Sequence, residues 1–220
     1  MALPRTTVTD GTLHEFAAFA GLVRSLGDDE WAKPTRCDGW TVGDVVAHVA
    51  GTLTDVVSGR LEGLGSPEVT AREVDERRGA GPAALADELD ASARTAKELL
   101  AAFDDAAWNG EAPPGVPGTL GDGVEALWYD TFLHADDIRV AAGRATETGP
   151  GLEASVSHLA TVLESQGWGP ATLALDGVAR HDVGGGGREI TGDAFAFVLA
   201  ATGRTDPAPL GLDETVNVYR

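Results

Sequence analysis

The sequence predicts an α+β protein, with a four-helix bundle over residues 1–145 and a smaller α+β domain over residues 146–220. Three observations lead there. Four long stretches in the first part repeat apolar residues at helical spacing. A Gly-containing break from Gly143 to Gly151 then changes the composition. Beyond it, short strand-like runs alternate with two more helical stretches.

The first helix is expected over residues 9–26, where Leu13, Phe16, Ala17, Ala20, Val23 and Leu26 form one apolar stripe and Gly27 supplies a stop. A loop with Pro34 and Gly39 leads to a second helix over residues 41–59, with Thr41 as its cap. Its buried face is Val42, Val45, Val46, Val49, Leu53 and Val56, and Thr41, Asp44, His48 and Asp55 form a polar strip beside it. Residues 62–80 carry Gly63, Gly65 and Pro67 and read as an irregular connection. Pro82 suits the first turn of a third helix reaching Phe103, with Leu85, Leu89, Ala93, Ala96, Leu99 and Leu100 facing inward. The run Pro113 to Gly118 forces a loop, a candidate wall beside the bundle. Leu120 to Ala142 forms the fourth helix, packed through Val124, Leu127, Thr131, Ala135 and Ile138.

The carboxy-terminal part reads as a helix over residues 152–164, a strand over 171–176 and a return strand over 179–183. Gly184 to Gly187 reads as a hairpin turn, followed by a strand over 188–191, a helix over 193–201 and a terminal strand over 214–219. The glycine run matches neither phosphate-loop pattern, so it gives little support to nucleotide binding.

The chain has 220 residues, 43% of them apolar, enough for a sizeable core. Its 35 Asp and Glu against 16 Lys and Arg give a formal charge of −19, which argues against nucleic acid and anionic membranes as partners. No apolar run spans a bilayer and the amino terminus does not resemble a signal peptide, so the expected location is the cytoplasm. Cys37 stands alone, which excludes an internal disulfide, and reads as a structural residue at a helix start.

The chemistry gathers at two histidines on different helices. Asp130 precedes His134 by four residues, so one helical face presents a carboxylate and an imidazole together. If that face meets His48, the three form a two-histidine, one-carboxylate set suited to Zn²⁺ or another divalent ion. Asp137 shares the face and has three possible roles: orienting His134, binding an arginine, or replacing Asp130 as ligand. Asp44 has the same claim beside His48. Trp40 and Trp128 are candidates to line a pocket for a substrate or cofactor beside the metal, against an ordinary packing role. His14, His158 and His181 have no ligand-spaced partner and read as ordinary packing, surface or hydrogen-bonded residues.

The stretch Cys37-Asp38-Gly39-Trp40-Thr41-Val42, with Asp44, Val45, Val46 and His48, followed by Asp130, His134 and Asp137, resembles the mycothiol-dependent maleylpyruvate isomerase family within the wider DinB-like metal-binding bundles. Gly192 to Arg204 resembles that family's carboxy-terminal domain. The resemblance implies a divalent metal, commonly Zn²⁺, on His48, Asp130 and His134, with Asp130 in place of the family's usual glutamate. It also implies mycothiol as a cofactor, its thiol activated by the metal to attack a small electrophile, with Cys37 not the nucleophile. Arg204 would then offer an anion-binding surface, or make an ordinary carboxylate contact. The expected function is a metal- and mycothiol-dependent transferase or isomerase. Metal-assisted hydrolysis by bound water, and a non-enzymatic metal-stabilised binding or regulatory protein, are the competing readings. No residue is assigned a catalytic role beyond the metal, and the sequence carries no signal for an oligomeric state.

Overall fold

A computed structural model describes residues 3–112 and 118–220. The described chain divides into two compact units, Arg5–Glu147 and Thr148–Arg220, the latter joined by Leu3 and Pro4. The predicted loop at Pro113–Gly118 falls almost wholly outside the described residues. No described helix is long and apolar enough to cross a membrane.

The first unit is built on four long helices, α1 (Arg5–Arg24), α3 (Val42–Val57), α5 (Pro82–Ala102) and α7 (Leu120–Ala142), with α1 and α3 each packed against both α5 and α7. Short helices α2 (Asp28–Trp31) and α6 (Asp105–Trp108) decorate it. The apolar stripes meet as the spacing requires: Phe16, Phe19 and Val23 from α1 join Val45, Val46, Val49 and Leu53 from α3, Leu85 and Leu89 from α5, and Ala135 and Ile138 from α7. Thr41 and Thr119 start α3 and α7 with full capping boxes, closed by Asp44 and Asp122.

The stretch after α3 departs from the sequence reading. Residues 67–76, expected to be irregular, form α4 (Pro67–Glu76), which packs on α3. Ser66 accepts a hydrogen bond from the Val69 amide and Pro67 takes the first turn, so the helix starts where the preceding glycines end.

In the second unit, α8 (Pro150–Ser165) and α9 (Ala194–Ala201) pack on a three-stranded sheet of order β2-β1-β3. β1 (Ala171–Asp176) runs antiparallel to β2 (His181–Val183) and parallel to β3 (Arg188–Asp193). The four-glycine run is therefore not a hairpin turn. It carries the chain past the start of β1, from Val183 on one side of Ala171 to Arg188 on the other. The path is tight, since a Cβ at Gly187 would stand 2.8 Å from the Pro170 carbonyl oxygen, and Gly184 to Gly186 all have positive φ. The terminal strand is also absent: Asp213 accepts the Thr215 amide and winds Glu214–Val216 into a single 3₁₀ turn.

Candidate metal centre

Two helices and one loop of the first unit bring the predicted residues together. His48 projects from α3 and His134 from α7, both 9% exposed, and their rings meet edge to face with centroids 5.3 Å apart. Asp130, one turn before His134, has one oxygen 3.5 Å from His134 Nε2 and the other 4.0 Å from His48 Nε2. One donor atom from each of the three residues lies within 4.8 Å of the other two. A tetrahedral zinc ion with nitrogen ligands at about 2.0–2.1 Å holds its donors about 3.3 Å apart, so a small inward movement closes this set on an ion. Asp130 keeps 27% of its side chain exposed, so the donors reach solvent from a mostly buried site.

The back of each imidazole is held by a carboxylate. Glu73 on α4 accepts from His48 Nδ1 at 2.8 Å, and Asp137 on α7 accepts from His134 Nδ1 at 3.0 Å. Glu73 is 1% exposed and Asp137 fully buried. Each carboxylate fixes its ring with Nδ1 protonated and Nε2 turned to the shared space, the arrangement that supports a histidine ligand. Thr52 adds a hydroxyl donor to Glu73 at 3.2 Å.

Glu73 reaches His48 because Gly51, three residues along α3, lets α4 approach. A Cβ there would stand 2.5 Å from Glu73 Cβ and 2.7 Å from its Cγ. Gly51→Ala is therefore expected to push Glu73 off the imidazole and weaken zinc binding by about 10- to 100-fold, read by competition with a chelator. Unchanged affinity would show that Glu73 does not support the site.

The loop before α3 closes the other side. A β-bridge between Pro34 and Thr41 and a hydrogen bond from the Thr35 amide to the Trp40 carbonyl shape it. Trp40 lies 5.3 Å from the His48 ring, as a pocket wall would. Cys37 reaches the same centre, with its thiol donating to Asp137 Oδ2 at 3.4 Å and its sulfur 3.9 Å from His134 Nδ1. Arg36 donates to Asp137 Oδ1 from Nε at 3.0 Å and to Asp136 Oδ2 from Nη2 at 2.6 Å.

The other candidates are placed elsewhere. Asp44 spends its carboxylate on the Thr41 amide and hydroxyl, and Glu73 stands where Asp44 was expected. Trp128 is 2% exposed, pressed onto Gly11 of α1, with its indole N–H donating to Glu15 at 3.4 Å, so it is core rather than pocket wall. Arg204 belongs to the second unit, where it donates to the Thr202 carbonyl. His181, also in that unit, is buried and bonded to Glu153 at 3.2 Å.

Burial of His134 opposes its charge, but Asp130, through its charge and hydrogen bond, and then Asp137 and Cys37 outweigh it and hold the ring's pKa well above the ordinary histidine value. The metal-free ring therefore holds its proton more firmly than an ordinary histidine does. Its contribution to stability is complete below the unfolded pKa and is lost as pH rises through the raised folded value. An ion competes with that proton, so zinc affinity should rise with pH and binding should be accompanied by proton release. Calorimetry in two buffers of different ionisation enthalpy measures this; a buffer-independent heat would contradict it.

Residues 12–139 match the family model of the mycothiol maleylpyruvate isomerase N-terminal domain. Two uncharacterized proteins from two strains of Mycobacterium tuberculosis are each 30% identical over 144 residues, 65% of this chain and 70% of theirs. The crystal structure of a mycothiol-dependent maleylpyruvate isomerase superposes with a TM-score of 0.66 at 19% identity, covering 92% of this chain and 90% of the other. A histidine-to-alanine mutant of that isomerase gives a TM-score of 0.64 at the same identity and coverage.

Proposed function

Because the chain belongs to the mycothiol maleylpyruvate isomerase N-terminal domain family, we propose that it is a divalent-metal-dependent, mycothiol-using transferase or isomerase acting on a small electrophile. The observation that carries this reading is the convergence of His48, Asp130 and His134, with a buried carboxylate behind each imidazole.

The residues fit a zinc-like ion in donor type, spacing and support. His48 and His134 would hold it through Nε2 and Asp130 through a carboxylate oxygen. When bound, such an ion lowers the pKa of a thiol at its open position and so supplies a thiolate at neutral pH.

The protein's own part is orientation and exclusion of water. Glu73 and Asp137 keep both Nδ1 protons pointing away from the reacting side. The half-buried Trp40 gives the His48 edge an apolar wall, against which a thiol or an unsaturated substrate can pack. Asp130, the most exposed of the three donors, marks the side from which ligands enter.

Maleylpyruvate is the first substrate to test, since the structural relatives are named for it. Zinc-loaded protein should turn over an electrophile only when mycothiol is present. Turnover without thiol would replace this reading with metal-assisted hydrolysis, and failure to bind mycothiol in the metal-replete, reduced protein would remove it.

A further inference from the structure

The second unit carries a cleft of about 900 Å³, within the roughly 300–1,000 Å³ of small-molecule sites. Every described residue lining it belongs to Thr148–Arg220, and none belongs to the metal centre. It opens where β1 and β3 begin side by side, with Ala171 paired to Arg188. The segment before β1 supplies Trp168 to its lining, β3 supplies Arg188 and Ile190, and the tail after α9 supplies Asp213 and Arg220. Strand alternation puts Arg188 and Ile190 on one face of β3, so a cation lies next to an apolar side chain that is only 3% exposed.

Arg188 is held in an uncommon way for this chain. The formal charge is −19, and most arginines are paired with carboxylates, as Arg180 is with Glu189 in the same unit. Arg188 instead donates from Nη2 to the Gly211 carbonyl at 2.6 Å, and among the described residues no carboxylate lies within ion-pair distance of its guanidinium. Asp213 lines the same cleft, but its Oδ1 accepts from the Thr215 amide at 2.9 Å and from the Thr215 hydroxyl. Those hydrogen bonds, and after them the charges of Arg220 and Arg188, hold its carboxyl below the ordinary aspartate value, so both cations are felt in this part of the cleft. Trp168 is half-buried; its backbone N–H is spent on the Leu163 carbonyl, while among the described residues its indole N–H has no hydrogen-bond partner.

We propose that this cleft is a second ligand site, for a small planar organic acid whose carboxylate meets the Arg188 guanidinium and whose flat body lies against Trp168 and Ile190. A guanidinium presents a planar fork that matches a carboxylate, and an indole offers a flat apolar face with one donor at its edge. Asp213 on the same lining makes a singly charged acid a better fit than a phosphate ester. The site is independent of the metal reading, since none of its residues is a donor there.

2-Naphthoate is the probe, followed in the full-length protein through the indole N–H resonance of Trp168, which Trp168→Phe identifies. The resonance should shift saturably, with the same affinity in zinc-loaded and metal-free protein. Arg188→Gln, or the uncharged 2-naphthamide in place of the acid, should weaken binding by about 10- to 100-fold, the loss expected for a hydrogen bond to a charged group. Asp213→Asn, whose amide oxygen still accepts from Thr215, should tighten it by up to about fivefold, and it gives the reading if Arg188→Gln fails to fold; unchanged or weaker binding there counts against the site. No saturable shift, or one that Arg188→Gln leaves unaltered, overturns the proposal. Binding only to zinc-loaded protein would place the acid on the metal and overturn it too, and tighter binding of 2-naphthyl phosphate would overturn the assignment to a carboxylate.

Discussion

His48→Ala should leave a folded bundle that neither retains zinc nor supports thiol-dependent turnover, the largest functional loss expected from any single change in this protein. His48 is the only donor contributed by α3, so its loss leaves Asp130 and His134, two groups on one helical turn that cannot surround an ion. Supporting partners of metal ligands cost about 10- to 100-fold in affinity when removed, and loss of a ligand should exceed that range. On the proposed function, thiol-dependent turnover should fall to the uncatalysed rate. The change also strips Glu73 of its imidazole in a site where Glu73 is 1% exposed. That uncompensated carboxylate should lower stability by roughly 1–3 kcal/mol, so circular dichroism and the zinc titration belong together. Wild-type zinc affinity in a folded His48→Ala protein would remove His48 from the donor set.

The two histidines and Asp130 were legible because helical spacing settles which residues share a face. His48 follows the polar edge of α3, and Asp130 and His134 lie one turn apart on α7. The family resemblance added the expectation that these faces meet, which periodicity alone does not supply. Glu73 was not legible in this way. It sits on a ten-residue helix read as loop, because Gly63 and Gly65 outweighed the cap-and-proline start at Ser66 and Pro67. Gly51, which lets Glu73 in, looks in sequence like an ordinary weak point in a helix; only the facing residue gives it meaning. Arg36 and Cys37 lie in an irregular loop, where no period tells which side chain points inward. Asp44 illustrates the opposite error. The same Thr-x-x-Asp spacing that places it near His48 is also a capping box, and the local hydrogen bonds to Thr41 hold its carboxylate.

Trp128 separates packing from ligand binding experimentally. It lies two residues from Asp130, and sequence alone made it a candidate wall for a cofactor. Its ring is instead 2% exposed and fills the space above Gly11, where even a Cβ would stand 2.1 Å from the nearest ring carbon. Its indole N–H is offered to Glu15, whose carboxyl is pushed above its ordinary pKa chiefly by burial, with the indole hydrogen bond working the other way. Trp128→Ala should therefore cost about 3–5 kcal/mol, the largest loss of stability expected from one side chain, and lower the melting midpoint by roughly 10 °C. Trp128→Phe, which keeps most of the ring but drops the donor, should cost much less and raise the Glu15 pKa further. On the proposed function, both variants, once folded, should keep the zinc and mycothiol affinity measured for the wild type, because the ring packs between α1 and α7 and away from solvent. Loss of thiol binding at undiminished stability would reverse that assignment and make Trp128 a wall of the ligand pocket.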